Sequence, residues 1–306
     1  MKKLLPAKAG KRNDHIIVGL VQQSCTADRN ANMEKSAAGI RKAVSKGAEL
    51  IVLQELHLGP YFCQTEDPAY FDLAEPIPGP ATEAFGALAM EFSVVIVACV
   101  FERRAAGLYH NTAVVLEKDG SIAGKYRKMH VPDDPSYYEK YYFTPGDLGF
   151  RPIVSSVGRL GVLVCWDQWY PEAARLMALS GAELLLYPTA IGWVPGESEA
   201  ERRLMLDAWM TIQRSHAIAN GLPVICANRV GFEPAPESAG SGQIFWGNSF
   251  IIGPQGEFMA RAGHDTDEVL TAQIDMARTE VVRHNWPFLR DRRIDAYADL
   301  LLLYRD

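Results

Sequence analysis

The sequence predicts an α/β fold with mixed sheets, built as a single large domain. Three observations carry this. Short, wholly apolar runs such as 16–21, 50–53 and 184–187 recur along the 306 residues and read as strands buried on both faces. Amphipathic or capped helical stretches alternate with most of them, the pattern of βαβ units. An Asp119-Gly120 turn signal joins two other strands as a hairpin, so pairing is not parallel throughout. No repeat, low-complexity segment or linker-like composition shift divides the chain.

The elements follow in order. Residues 1–14 precede the first apolar run and are expected to form a flexible tail, with the domain covering 15–306. Met33, Ala37, Ile40 and Val44 step at helical spacing; Asp28 can cap that helix and Gly47 can end it. Residues 50–53 form the next buried strand. Residues 82–92 read as a helix, 94–100 and 112–117 as strands, and 122–126 as the strand after the hairpin turn. A strand over 159–165 precedes a helix that opens near Pro171, a favoured first-turn residue. A strand over 184–187, a long helix over 199–220 and strands over 223–227, 245–252 and 269–274 complete the pattern.

Composition narrows the function. Lys and Arg number 31 against 37 Asp and Glu, a net charge of −6. That excludes a general nucleic-acid binder, which needs a basic face, and is compatible with a cationic ligand. Five cysteines at wide, odd spacing do not form a disulfide framework, and no CxxC or HExxH zinc signature occurs. No apolar run approaches the ~20 residues that span a bilayer, and Leu4 and Leu5 are too few for a signal peptide. The expectation is a cytoplasmic protein with no membrane partner. Gly240-Ser241-Gly242 reads as a turn, not a phosphate loop, and His57, His110, His130 and His216 form no ligand spacing, so no cofactor and no metal is implied.

Ligands of open α/β sheets gather beyond the carboxyl ends of strands. Glu55 follows strand 50–53, Lys128 follows strand 122–126, and Cys165 ends strand 159–165 just before a helix. A thiol at a helix N-terminus feels the positive end of the dipole, which favours thiolate. Taken singly, the three are equally a loop carboxylate, part of the basic face 125–128, and a small core residue.

The surrounding residues distinguish these readings. Leu53-Gln54-Glu55-Leu56, Tyr126-Arg127-Lys128-Met129-His130 and Val164-Cys165-Trp166-Asp167 resemble, in order and spacing, the three motifs of the nitrilase superfamily of carbon-nitrogen hydrolases. The ending 285–293 resembles its closing motif. Within the superfamily, Tyr61-Phe62-Cys63-Gln64, 130–135, 137–147 and 165–172 are similar to the N-carbamoylputrescine amidohydrolases. The stretch His57-Leu58-Gly59-Pro60 departs from their pattern, at a place expected near the pocket mouth.

The resemblance implies an α-β-β-α sandwich and a Glu-Lys-Cys triad. Cys165 would be the nucleophile and Glu55 the general base. Lys128, with the backbone N–H of Trp166, would hold the oxyanion. Glu139 resembles the superfamily's auxiliary glutamate. The reaction implied is hydrolysis of N-carbamoylputrescine to putrescine, carbon dioxide and ammonia through a covalent thiocarbamate, a step of polyamine biosynthesis. The order in which ammonia and amine leave stays open. The distal amine would need a carboxylate or an aromatic face, for which Tyr61, Asp133, Trp193 and Glu197 are candidates. A related hydrolase of carbamoyl amino acids or aliphatic amides, and a non-catalytic binding or assembly protein on the same scaffold, are the competing readings. The superfamily further implies a homo-oligomer, a dimer or larger. The apolar run Leu300-Leu301-Leu302-Leu303-Tyr304 could dock on a second copy or pack on its own domain.

Overall fold

The computed structural model describes residues 14–235 and 241–306. The expected N-terminal tail, except Asp14, and Gly240 of the expected turn lie outside them.

The first half of the chain builds one sheet. β1 (His15–Gln22) runs into α1 (Arg29–Ser45), which returns the chain to β2 (Leu50–Val52), parallel to β1. The Asp28 side chain caps α1 by accepting from the N–H groups of Asn30 and Ala31, and Gly47 leaves it at φ +85°. α2 (Pro80–Phe92) leads to β3 (Val95–Ala105), parallel to β2. Antiparallel β4 (Leu108–Leu116) and β5 (Ile122–Arg127) follow, the second through the expected Asp119-Gly120 turn.

After the short α3 (Glu139–Tyr142), a second sheet begins with β6 (Ile153–Ser155), β7 (Gly158–Val162), α4 (Pro171–Leu179) and β8 (Leu184–Thr189). β9 (Gly192–Trp193) and α5 (Glu199–Asn220) precede β10 (Val224–Asn228) and β11 (Val230–Pro234). Ser198 and Glu201 bond reciprocally to each other's backbone N–H groups and fix the start of α5. β12 (Gly242–Trp246), β13 (Phe250–Ile252) and β14 (Phe258–Arg261) follow. β15 (Glu268–Asp275) then crosses back to pair with β1, and α6 (Arg278–Asn285) follows it.

The strand orders are β15-β1-β2-β3-β4-β5 and β14-β13-β10-β8-β7-β6, with β11-β12-β9 as a small third sheet. Counted from β15 and from β6, the two large sheets repeat one series of pairings: antiparallel, parallel, parallel, antiparallel, antiparallel. The duplication is one of topology, since the sequence carries no repeat.

Side-chain alternation stacks these layers. Leu50, Val52, Val95 and Val97 join a core with Leu160, Val162, Leu184 and Leu186 of the second sheet. The intervening Ile51, Ile96 and Ala98 pack with Ile40 and Ala43 of α1 and Phe85 and Ala89 of α2. Trp209 and Ala217 of α5 and Ala174 and Met177 of α4 cover the second sheet. The result is the α-β-β-α sandwich that the sequence implied. Close approach of α1 needs glycine: a Cβ at Gly39 would sit 2.6 Å from Val21 Cγ1. Among the described residues no helix is long and apolar enough to cross a membrane.

Two predicted strands are corrected. The run 245–252 is broken, because Gly247 (φ +54°) and Asn248 (φ +52°) turn the chain from the small sheet into the large one. The strand 159–165 stops at Val162; Leu163 still donates to the Leu186 carbonyl, but Cys165 stands beyond the sheet.

Candidate active site

The ends of β2, β5 and β7 bring Glu55, Lys128 and Cys165 together, and α3 adds Glu139. All four are buried. Lys128 Nζ donates to Glu55 Oε1 at 2.9 Å and to Glu139 Oε2 at 2.6 Å. The Tyr61 hydroxyl donates to Glu139 Oε1 at 2.6 Å, and Asn111 Nδ2 to Glu55 Oε1 at 2.6 Å. Glu55 Oε2 is left without a hydrogen-bond partner among the described residues.

The charges settle around Lys128. Burial pulls its pKa down, but Glu139 and Glu55, then the Cys165 sulfur, together hold it well above the ordinary lysine value. It therefore stays an ammonium. Burial, with Glu55 adding to it and Lys128 opposing it, pushes Glu139 up to about 7. Burial and then the charge of Glu55 raise the Cys165 thiol well above its ordinary range, with Lys128 pulling the other way. This corrects the expected dipole-stabilised thiolate. Cys165 opens a 3₁₀ turn of five residues, and desolvation outweighs so short a dipole. The Cys165 thiol therefore stays protonated and donates to the Ala190 carbonyl at 3.7 Å.

The thiol sits on a strained elbow, with Cys165 at φ +41°. Asp167 holds that elbow. Its Oδ2 accepts from Val164 N at 2.9 Å and Tyr126 Oη at 2.8 Å, and its Oδ1 accepts from His130 N at 3.0 Å. The carboxylate thus ties the nucleophile turn to both sides of Lys128. The basic run 125–128 is no exposed face: Arg127 pairs with Glu102 and Asp147, and Lys128 points inward.

A cavity of about 470 Å³ opens on Cys165 and is lined by Trp166, Tyr137, Trp246, Asp134 and Glu197 among others. Among the described residues no lysine or arginine belongs to its lining. The four expected amine-reading residues are placed differently. Glu197 lines the cavity. Tyr61 lies outside the lining, behind Glu139. Asp133 is exposed and outside it, while its neighbour Asp134 belongs to it. Trp193 stands outside the lining, its ring 5.2 Å from that of Trp246 and its indole N–H on the Arg202 carbonyl. The stretch 57–60 does not reach the mouth either: His57 packs against Phe85 and contacts Ser36 Oγ at 3.0 Å.

Sequence reading missed Asn111, whose Oδ1 accepts from the Cys99 thiol at 3.0 Å while its amide holds Glu55. An asparagine inside an apolar strand was the available signal. The four histidines singled out earlier have structural contacts, His110 with the Thr144 carbonyl and His216 with that of Gln168 among them.

These features have counterparts among known proteins. The carbon-nitrogen hydrolase family model matches residues 17–284. The N-carbamoylputrescine amidase of Solanum lycopersicum is 43% identical over 96% of this chain and 97% of its own. A citrullinase of Francisella tularensis is 39% identical over 95% and 99%. The crystal structure of a carbon-nitrogen hydrolase from Helicobacter pylori G27 superposes with a TM-score of 0.92 at 56% identity, covering 95% of this chain and 100% of that one.

One prediction comes from His57, which burial lowers to about 3. Its stabilisation is complete above the unfolded value near 6.5 and is lost as the pH falls toward 3. Each unit is worth about 1.4 kcal/mol. Urea denaturation of wild type and His57→Asn between pH 7 and 4 should show a shallower acid loss in the variant; parallel curves would refute this.

Proposed function

The chain belongs to the carbon-nitrogen hydrolase family, and from that premise we propose that this enzyme hydrolyses N-carbamoylputrescine to putrescine, carbon dioxide and ammonia, a step of polyamine biosynthesis. One observation carries the substrate: among the described residues, the cavity at Cys165 has two carboxylates in its lining and no lysine or arginine. A cationic distal amine suits it. A carbamoyl amino acid such as citrulline adds a carboxylate that Asp134 and Glu197 would repel.

The proposed chemistry uses each group once per half-reaction. Glu55 Oε2 takes the Cys165 proton as sulfur attacks the carbamoyl carbon, forming the C–S bond. The Lys128 ammonium, with the Trp166 N–H, holds the oxyanion; one such donor contributes about 3 kcal/mol. The proton on Glu55 passes to the departing nitrogen, the C–N bond breaks and a thiocarbamate remains. Water, deprotonated by Glu55, then attacks the thiocarbamate carbon; the C–S bond breaks, the Cys165 sulfur takes the proton back from Glu55, and the carbamic acid released yields carbon dioxide and the second nitrogen product. Glu139 with Tyr61 positions Lys128.

Purified protein with N-carbamoylputrescine should release ammonia and putrescine equally. Cys165→Ala should abolish both, and Glu55→Gln should accumulate no thiocarbamate by mass spectrometry. No release from wild type, with turnover of citrulline or simple amides instead, would overturn the substrate.

Asp134→Asn and Glu197→Gln should each raise the KM for N-carbamoylputrescine about three- to fivefold, the scale of a part-exposed ion pair. The KM for uncharged N-butylurea should stay unchanged. Equal effects on both substrates would refute charge recognition.

The five free thiols suit a reducing cytoplasm. The run 300–304 is exposed, with Leu301 at 92% and Leu303 at 106%, and supports assembly with further copies of the chain. Leu301→Asp/Leu303→Asp should lower the mass measured by light scattering; an unchanged oligomer would exclude this surface.

A further inference from the structure

We infer that the buried Arg229–Glu233 ion pair is a positioning clamp for the base, holding both ends of the loop 55–61 that carries it. The inference rests on the role of Glu55 proposed above.

Both residues are almost fully buried, and Arg229 Nη1 meets Glu233 Oε1 at 2.5 Å. The rest of the pair's hydrogen bonding is directed at one loop. Arg229 Nη2 donates to the carbonyls of Glu55 at 3.2 Å and Leu56 at 2.7 Å. Nη1 also donates to the Gly59 carbonyl at 3.0 Å. At the far end, the Tyr61 N–H donates to Glu233 Oε2 at 2.6 Å. The guanidinium lies 5.3 Å from the Phe245 ring centroid, a contact that keeps its plane fixed.

This arrangement does more than fill a core. Leu56 is at φ +46°, a strained conformation that external contacts must maintain. The Glu55 and Leu56 carbonyls facing Arg229 belong to buried residues and need donors there. Only a planar fork serves three carbonyls and a carboxylate together; an ammonium is a single point. The residues at the loop's two ends are the ones that matter chemically. Glu55 carries the base, and Tyr61 orients Glu139 through its hydroxyl. One ion pair therefore sets the frame for both carboxylates that flank Lys128. Arg229 immediately precedes β11 and Glu233 lies within it, and the same small sheet contains Trp246 of the cavity wall.

The test is Glu233→Gln, which keeps size and removes the charge. Turnover is measured per folded site, with sites counted by alkylation of Cys165 in a mass-spectrometric assay. The expected result is a kcat about 100-fold lower, the effect of an ångström-scale misplacement, with KM for N-carbamoylputrescine within about threefold. Arg229→Lys should recover part of that loss relative to Arg229→Gln, and it gives the same readouts if Glu233→Gln does not fold. A lowered melting temperature with unchanged kcat per site would make the pair structural only and overturn the clamp. Glu55→Gln is run alongside. If it keeps wild-type kcat, the base assignment fails and the clamp falls with it; if it loses activity while the clamp variants do not, the clamp alone fails.

Discussion

The site depends on one buried ammonium shared by two buried carboxylates. Three ionisable groups without water are costly unless each is matched by its neighbours. Here Lys128 lies within 2.9 Å of Glu55 and 2.6 Å of Glu139, and Asn111 and Tyr61 supply the remaining donors. Removal of any one leaves another group unsatisfied in a low dielectric. Burial and the charge of Glu55 outweigh the pull of the ammonium on the nearby Cys165 thiol, which stays protonated.

The sandwich makes this balance possible. Burial on both faces of each sheet needs strands that are mostly apolar, and Glu55, Lys128 and Cys165 are left for the positions beyond the strand ends. All three stand there, where the chain leaves one dry layer before entering another. The matching pairing series of the two sheets places two such rims against each other. The Glu55 N–H even reaches the Thr189 carbonyl at the end of β8, in the opposite sheet.

Much of this was legible in the sequence. Buried strands announce themselves by continuous apolar runs, and 199–220 reads as one long helix. Strand-end position together with local motif singled out Glu55, Lys128 and Cys165, and resemblance alone singled out Glu139; the four lie together in the structure. What stayed hidden depends on contacts that no local pattern encodes. Asn111 meets Glu55 across 56 positions, and Arg229 meets its carbonyl across 174. Asp133 was chosen where Asp134 lines the cavity, because a loop has no period to say which of two exposed neighbours borders a cavity. The run 245–252 looked continuous because strand propensity persists on both sides of Gly247-Asn248. The thiol's protonation could not be read either, since it follows from desolvation by residues far apart in the chain.

The wide separation of the site's parts also bears on how the molecule comes into being. Glu55 stands 73 residues before Lys128, and Cys165 follows beyond the end of β7. No contiguous segment holds all three, and non-local contacts of this kind slow folding. A nascent chain therefore carries an ordinary cysteine. The buried cluster comes into existence only when the two large sheets close on each other.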